Sequence, residues 1–143
     1  MNRKGFTLVE LLATLIILAI VMSLGTYSII NIINNSKNKN YDVLISNIKD
    51  SAETYYQECK FAQNSIITCT KDGDGYTITL GDLVTYGYLK GNSKDDEKKF
   101  TIVNPKDNNS IAACTINVTY NNGIAITANN PTGSCPTQAD YNK

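Results

Sequence analysis

No charged side chain occurs between Glu10 and Lys37, and the run from Leu11 to Ile33 is built mainly of Leu, Ile, Val and Ala. About 20 apolar residues suffice to cross a bilayer as a helix. A soluble core helix of that length would ordinarily show a polar face. A secretory signal peptide has an apolar region of about 7–15 residues followed by small residues of the Ala-x-Ala kind. Here the run is longer, and only Ser23, Gly25 and Ser28 stand loosely near such a site. The run therefore reads as a membrane-spanning helix. Arg3 and Lys4 precede it and Lys37 and Lys39 follow it, so the loop charges nearly balance. The amine of Met1 tips the positive-inside count toward a cytoplasmic N-terminus. Cys59, Cys69, Cys114 and Cys135 all lie beyond the span, and their even number fits an oxidising compartment on the far side.

Past the span the pattern changes but the helix continues. Tyr41, Leu44, Ile45, Ile48, Ala52, Tyr55, Tyr56 and Cys59 recur at spacings of three and four, which is one apolar helical stripe. Asp42, Lys49, Asp50, Glu53 and Glu58 fall mostly off it, and no Pro interrupts Phe6 to Lys60. One long helix is predicted, lipid-facing first and amphipathic later. Its weak points are Gly25 and the polar stretch Asn34 to Asn40. After Lys60, Ser65 to Thr70 and Tyr76 to Leu80 read as short strands around the turn Asp72-Gly-Asp-Gly75. Gly81 to Tyr86 reads as a helical turn ended by Gly87, and Gly91 to Lys99 as a charged loop. Phe100 to Val103 reads as a strand stopped by Asn104-Pro105. Cys114, Ile116, Val118 and Tyr120 alternate with Thr115, Asn117 and Thr119, and Asn122-Gly123 leads into Ile124 to Ala128. Asn-Gly between two such runs predicts a β-hairpin. Asn129 to Lys143 is polar and is read as irregular.

Several functions are disfavoured by what is missing. The chain has no His, the commonest metal ligand and the side chain that titrates near neutrality unaided. Ser-His and Cys-His catalysis and most zinc sites are thereby out of reach, and no Cys-x-x-Cys pair supplies a zinc site either. No Gly-rich Lys-Ser/Thr loop is present to bind ATP. From Tyr41 onward there are 12 acidic against 9 basic side chains, whereas nucleic-acid binders carry a basic face. No catalytic residue, metal ligand or cofactor is expected, and nucleic acid is not an expected partner.

The N-terminus carries the strongest motif. Lys4-Gly-Phe-Thr-Leu8, then Glu10 followed by Leu11 and Leu12 and the long apolar run, resembles the type IV prepilin family, which includes pilins and the pseudopilins of type II secretion and competence. The resemblance extends with the helix to about residue 60. It implies cleavage after Gly5 by a prepilin peptidase, N-methylation of the new terminus at Phe6, and polymerisation driven by an assembly platform and ATPase. The physics agrees. A carboxylate at the centre of a membrane span costs about 2.5–3.5 kcal/mol on insertion scales, less near its edge, and usually has a partner. The span contains no Lys or Arg, and cleavage would create an amine on Phe6. Glu10 could pair with that amine on its own helix, since residues four apart share a face, or with the amine of a neighbouring subunit, which the family favours. Cleavage would also remove Arg3 and Lys4, the leader's cytoplasmic anchors. Many major pilins carry a Pro midway along this helix; here that stretch holds Gly25 and Tyr27.

Four cysteines allow three pairings. Short loop closure favours Cys59–Cys69 and Cys114–Cys135, each worth about 3 kcal/mol in the chain-entropy account. Asp72-Gly-Asp-Gly75 lacks the later ligands of a calcium loop and is read as a turn. The expected architecture is α+β and pilin-like: a leader at 1–5, a transmembrane and assembly helix at 6–35, its amphipathic half at 36–60, and a disulfide-bonded head at 61–143 with an antiparallel sheet from residues 100–128. The expected role is that of a structural filament subunit and not an enzyme. Such a chain would sit as a single-pass protein of the cytoplasmic membrane until assembled. A minor pilin or pseudopilin for secretion or DNA uptake is the nearest alternative. An uncleaved bitopic protein with a binding head is the next.

Overall fold

The computed structural model describes residues 6–61, 67–129 and 133–143, the side chains at 24–27 excepted. A single helix, α1 (Leu8–Phe61), accounts for 54 of them. It continues through Gly25 and through Asn34–Asn40. Helix propensities explain why the weak stretch does not break it. An Asn costs at most about 0.7 kcal/mol relative to Ala, and extending an established helix gains a hydrogen bond for every residue fixed.

The chain divides into two compact units, one ending at Lys37 and the other running from Asn38 to Lys143. In the first, the large apolar side chains of α1 lie open, from Leu8 at 79% to Ile33 at 48% exposure. In the second, the stripe Tyr41, Leu44, Ile45, Ile48, Ala52, Tyr55 and Tyr56 is buried. The same helix therefore offers apolar surface on all sides in its first half and a single stripe in its second.

The stripe shares its core with a small sheet. Four antiparallel strands, β1 (Thr70–Asp72), β2 (Gly75–Thr79), β5 (Thr115–Tyr120) and β6 (Ile124–Asn129), stand in the order β1-β2-β5-β6. Ile78, Ile116, Val118 and Ile126 bury their side chains in that core. The register follows, because Ile78 lies opposite Ile116 and Val118 opposite Ile126, and a slip by one residue would turn each apolar set outward. Gly75 is required where β2 meets β5: a Cβ there would come within 2.4 Å of Asn117 Oδ1 and 2.6 Å of the Val118 carbonyl. Between β2 and the later strands lie α2 (Leu80–Thr85) and a ribbon of β3 (Ser93–Lys94) and β4 (Phe100–Thr101). The Asp82 N–H donates to Thr79 Oγ1 at 3.0 Å to start α2, and Gly87, at φ +81°, follows its end.

The sheet is not the one expected from residues 100–128 alone. Phe100–Thr101 pairs only with Ser93–Lys94, so the charged loop holds a strand, and the central sheet takes two strands from residues 70–79 instead. After β4 the chain sinks Ile102 into the core, turns after Asn104-Pro105, and returns to bury Ile111, whose N–H donates to the Ile102 carbonyl at 3.0 Å. The first hairpin strand is also later than the β-branched run at 65–70 suggests. Residues 65 and 66 lie outside those described, and pairing begins at Thr70, because the two-residue turn Gly73-Asp74 brings together the residues flanking it. The turn at 72–75 forms as read.

Part of the tail read as irregular is helical, residues 130–132 lying outside those described. It forms α3 (Gln138–Tyr141), started by a capping box in which Asp140 accepts from the Thr137 N–H at 2.9 Å. Tyr141 is only 4% exposed. Asp140 lies beside Tyr41 of α1, whose ring carries Lys106 Nζ 3.6 Å from its centroid. Burial alone would raise the Asp140 carboxyl, but hydrogen bonds from the Thr137 N–H and hydroxyl, then from Tyr41 and Lys143, outweigh it and hold the group at about 2. The contribution to stability is complete above the ordinary carboxyl range and is lost as pH falls through that value. Burial, and then the Asp140 charge, push the Tyr41 hydroxyl up.

Replacing Ile48, fully buried, by Ala is expected to destabilise the head by about 2–5 kcal/mol. Val43→Ala, at a position 59% exposed, is expected to change stability by no more than about 0.5 kcal/mol. Urea unfolding of the two variants in detergent, followed by tyrosine fluorescence, measures the difference.

Candidate assembly site

Thr7 precedes the first residue of α1, and Glu10 stands three positions further on. The first turn of any helix leaves backbone N–H groups without partners inside the helix. Here the Glu10 N–H donates to Thr7 Oγ1 at 3.3 Å, and the Thr7 N–H donates back to Glu10 Oε2 at 3.4 Å. The Thr7 hydroxyl also donates to the same Oε2, at 3.3 Å. This is a capping box, in which a Thr and a Glu satisfy each other's backbone donors. It places the one acidic group of the apolar segment at the helix N-terminus, where the helix dipole favours negative charge. Among the described residues, Oε1 accepts no hydrogen bond. The signal was legible as Thr-x-x-Glu entering an apolar run, yet sequence reasoning took Glu10 as an acid awaiting a cation and passed over Thr7.

Phe6 sits beside this box with a side chain 75% exposed. Gly5 and the rest of the leader lie outside the described residues. Beyond Glu10 the helix exposes Leu11, Leu12, Leu15, Ile16 and their successors, a stretch long and apolar enough to cross a membrane and buried nowhere in its most apolar window. Phe6, just ahead of α1, and Glu10, in its first turn, thus both stand at one end of the helix.

The cysteines belong to the other unit. Cys59, in the last turn of α1, is bonded to Cys69 just ahead of β1. Cys114, ahead of β5, is bonded to Cys135, three residues ahead of α3. The first bridge ties the helix end to the sheet and the second ties the C-terminal segment to it. Among the described residues no group of three or more His, Cys, Asp or Glu side chains is placed to hold a metal ion.

An exposed apolar helix opening on an acid, and continuing as the spine of a disulfide-bonded α+β head, defines a pilin-like layout and fits a membrane-anchored pilin. Residues 1–26 match the family model of the prokaryotic N-terminal methylation motif. The chain carries, over those residues, the type IV prepilin and pseudopilin signature. No curated protein and no solved structure matches it.

Thr7→Ala removes the hydroxyl that accepts from the Glu10 N–H. Loss of such a cap costs about 1 kcal/mol. Hydrogen exchange in micelles is expected to show the Glu10 amide exchanging roughly fivefold faster, with the amides of Ile48 and Ala52 unchanged.

Proposed function

We propose that this chain is a structural subunit of a type IV pilus or pseudopilus, cut after Gly5 and polymerised through α1. The observation that carries the reading is Glu10, a carboxylate in the capping box at the start of a helix that holds no other charge before Lys37 and exposes the apolar side chains described there, four residues after Phe6 of the matched motif. While the chain is uncut, the Thr7 donors partly offset the cost of that charge at the membrane edge. Cleavage releases an amine on Phe6, the closest new cation, and methylation there keeps it positive. Thr7 engages only Oε2, so Oε1 remains to accept from the Phe6 amine of a neighbouring subunit. Only one axial offset between two such helices brings the amine and the carboxylate together. The pairing therefore sets the register of the polymer, while apolar packing of the exposed half of α1 replaces its lipid contacts.

In this account the N-terminus is cytoplasmic and the head lies outside the membrane, where its two disulfides are stable. The partners are other subunits of the filament, a prepilin peptidase, and an assembly platform with its ATPase. The chain is a substrate of the peptidase and does no chemistry of its own.

Two variants expressed in the native host separate the steps. Glu10→Ala is expected to insert and be cut normally yet to yield few or no sheared filaments; a normal filament yield contradicts the role of Glu10. Gly5→Leu is expected to remain an uncut membrane precursor on immunoblots, and normal processing contradicts the cut site.

A further inference from the structure

The two edges of the sheet are protected in different ways. An edge strand presents unpaired N–H and C=O groups that invite another chain to pair, and folded proteins blunt it with short length, charge or a covering element. Edge strand β1 has three residues, and two of them are Lys71 and Asp72. Edge strand β6 has six, Ile-Ala-Ile-Thr-Ala-Asn, with no charge and no Pro. That composition is the kind that self-associates through its backbone when left open.

The side chain of Gln138 lies against that edge. Its Oε1 accepts from the Ala128 N–H at 3.0 Å, and its Nε2 donates to the Ile126 carbonyl at 2.8 Å. Backbone groups two residues apart on one strand are thus met by a single primary amide, as the N–H and C=O of one residue of a neighbouring parallel strand would meet them. The second Nε2 hydrogen goes to Asn142 Oδ1 at 3.1 Å, so both donors of the amide are used and its orientation is fixed. The residue is held from both sides. Cys135, three positions earlier, is bonded to Cys114, the Thr137–Asp140 box starts α3 at Gln138, and the Tyr141 ring is buried.

We infer that β6 is a latent strand-pairing surface whose partner is β6 of a second copy of this chain, and that the Gln138 amide, standing in for a strand, keeps it closed. The device is independent of the cleavage chemistry. It would keep heads from pairing edge to edge at the close quarters that a membrane or a filament imposes.

The full chain in detergent micelles provides the test, with protein mass per micelle measured by sedimentation over a range of concentrations. Gln138→Ala removes both edge bonds. Gln138→Glu keeps the acceptor but turns a second acceptor toward the Ile126 carbonyl and Asn142 Oδ1. Both are expected to raise the protein mass per micelle twofold or more over wild type as concentration rises. Adding Thr127→Lys, at an exposed position of β6, is expected to return the mass to the wild-type value, because like charges facing each other across a new ladder oppose it. Mass unchanged from wild type in both Gln138 variants overturns the inference. So does association that Thr127→Lys leaves in place, since that would mark general misfolding of the C-terminal segment.

Discussion

One unbroken ladder of backbone hydrogen bonds carries α1 from a mainly apolar segment into a folded head. In lipid every N–H and C=O must find its partner within the chain, and a helix does this without regard to what surrounds it. The ladder can therefore be shared, and the side chains alone change with the surroundings. Between Leu8 and Ile33 the described side chains expose apolar surface, while Tyr41 to Tyr56 confine it to the stripe that closes the core of the head. The head has no comparable core without that stripe: Ile78, Leu83, Ile102, Ile111 and Val118 are buried in the same cluster as Ile48, Ala52 and Tyr55.

A charge at the start of such a helix is tolerated only with partners. The capping box gives Glu10 the donors of Thr7, and the dipole of α1 adds a favourable field over the first turn. In the proposed account the same carboxylate has two successive roles, first ending its own helix and then receiving the terminus of the next subunit. The local bonds are long, at 3.3–3.4 Å, so a charge-assisted bond to an amine, ordinarily about 2.7–2.9 Å, would be the stronger of the two.

Much of this was legible in the sequence because it is written in periodicity. The charge gap from Glu10 to Lys37, the stripe from Tyr41, the turn at Asp72–Gly75 and the hairpin around Asn122-Gly123 each depend on neighbours within a few residues. What was missed depends on distant ones. The strand at Phe100 pairs with Ser93–Lys94 rather than with the central sheet, which no local pattern announces, and β2 enters the sheet because Ile78 finds Ile116. The ordered tail was missed for a different reason. Thr137-x-x-Asp140 is a short-range signal of the same kind as Thr7-x-x-Glu10; the first was passed over because the tail was read by its polar composition, the second because Glu10 was read as an acid in need of a cation. The part played by Gln138 could not be read at all, since it depends on the tail folding back to the edge of β6.

The claim that joins these parts is that the working form of the chain begins with a positive Phe6. The intact mass of the protein recovered from the native membrane, with the sequence of its N-terminal peptide, tests it most directly. The account predicts a chain starting at Phe6 and bearing one added methyl group on its amine. A chain still carrying Arg3-Lys4-Gly5 ahead of Phe6 would contradict it, leaving Glu10 with its helix cap alone.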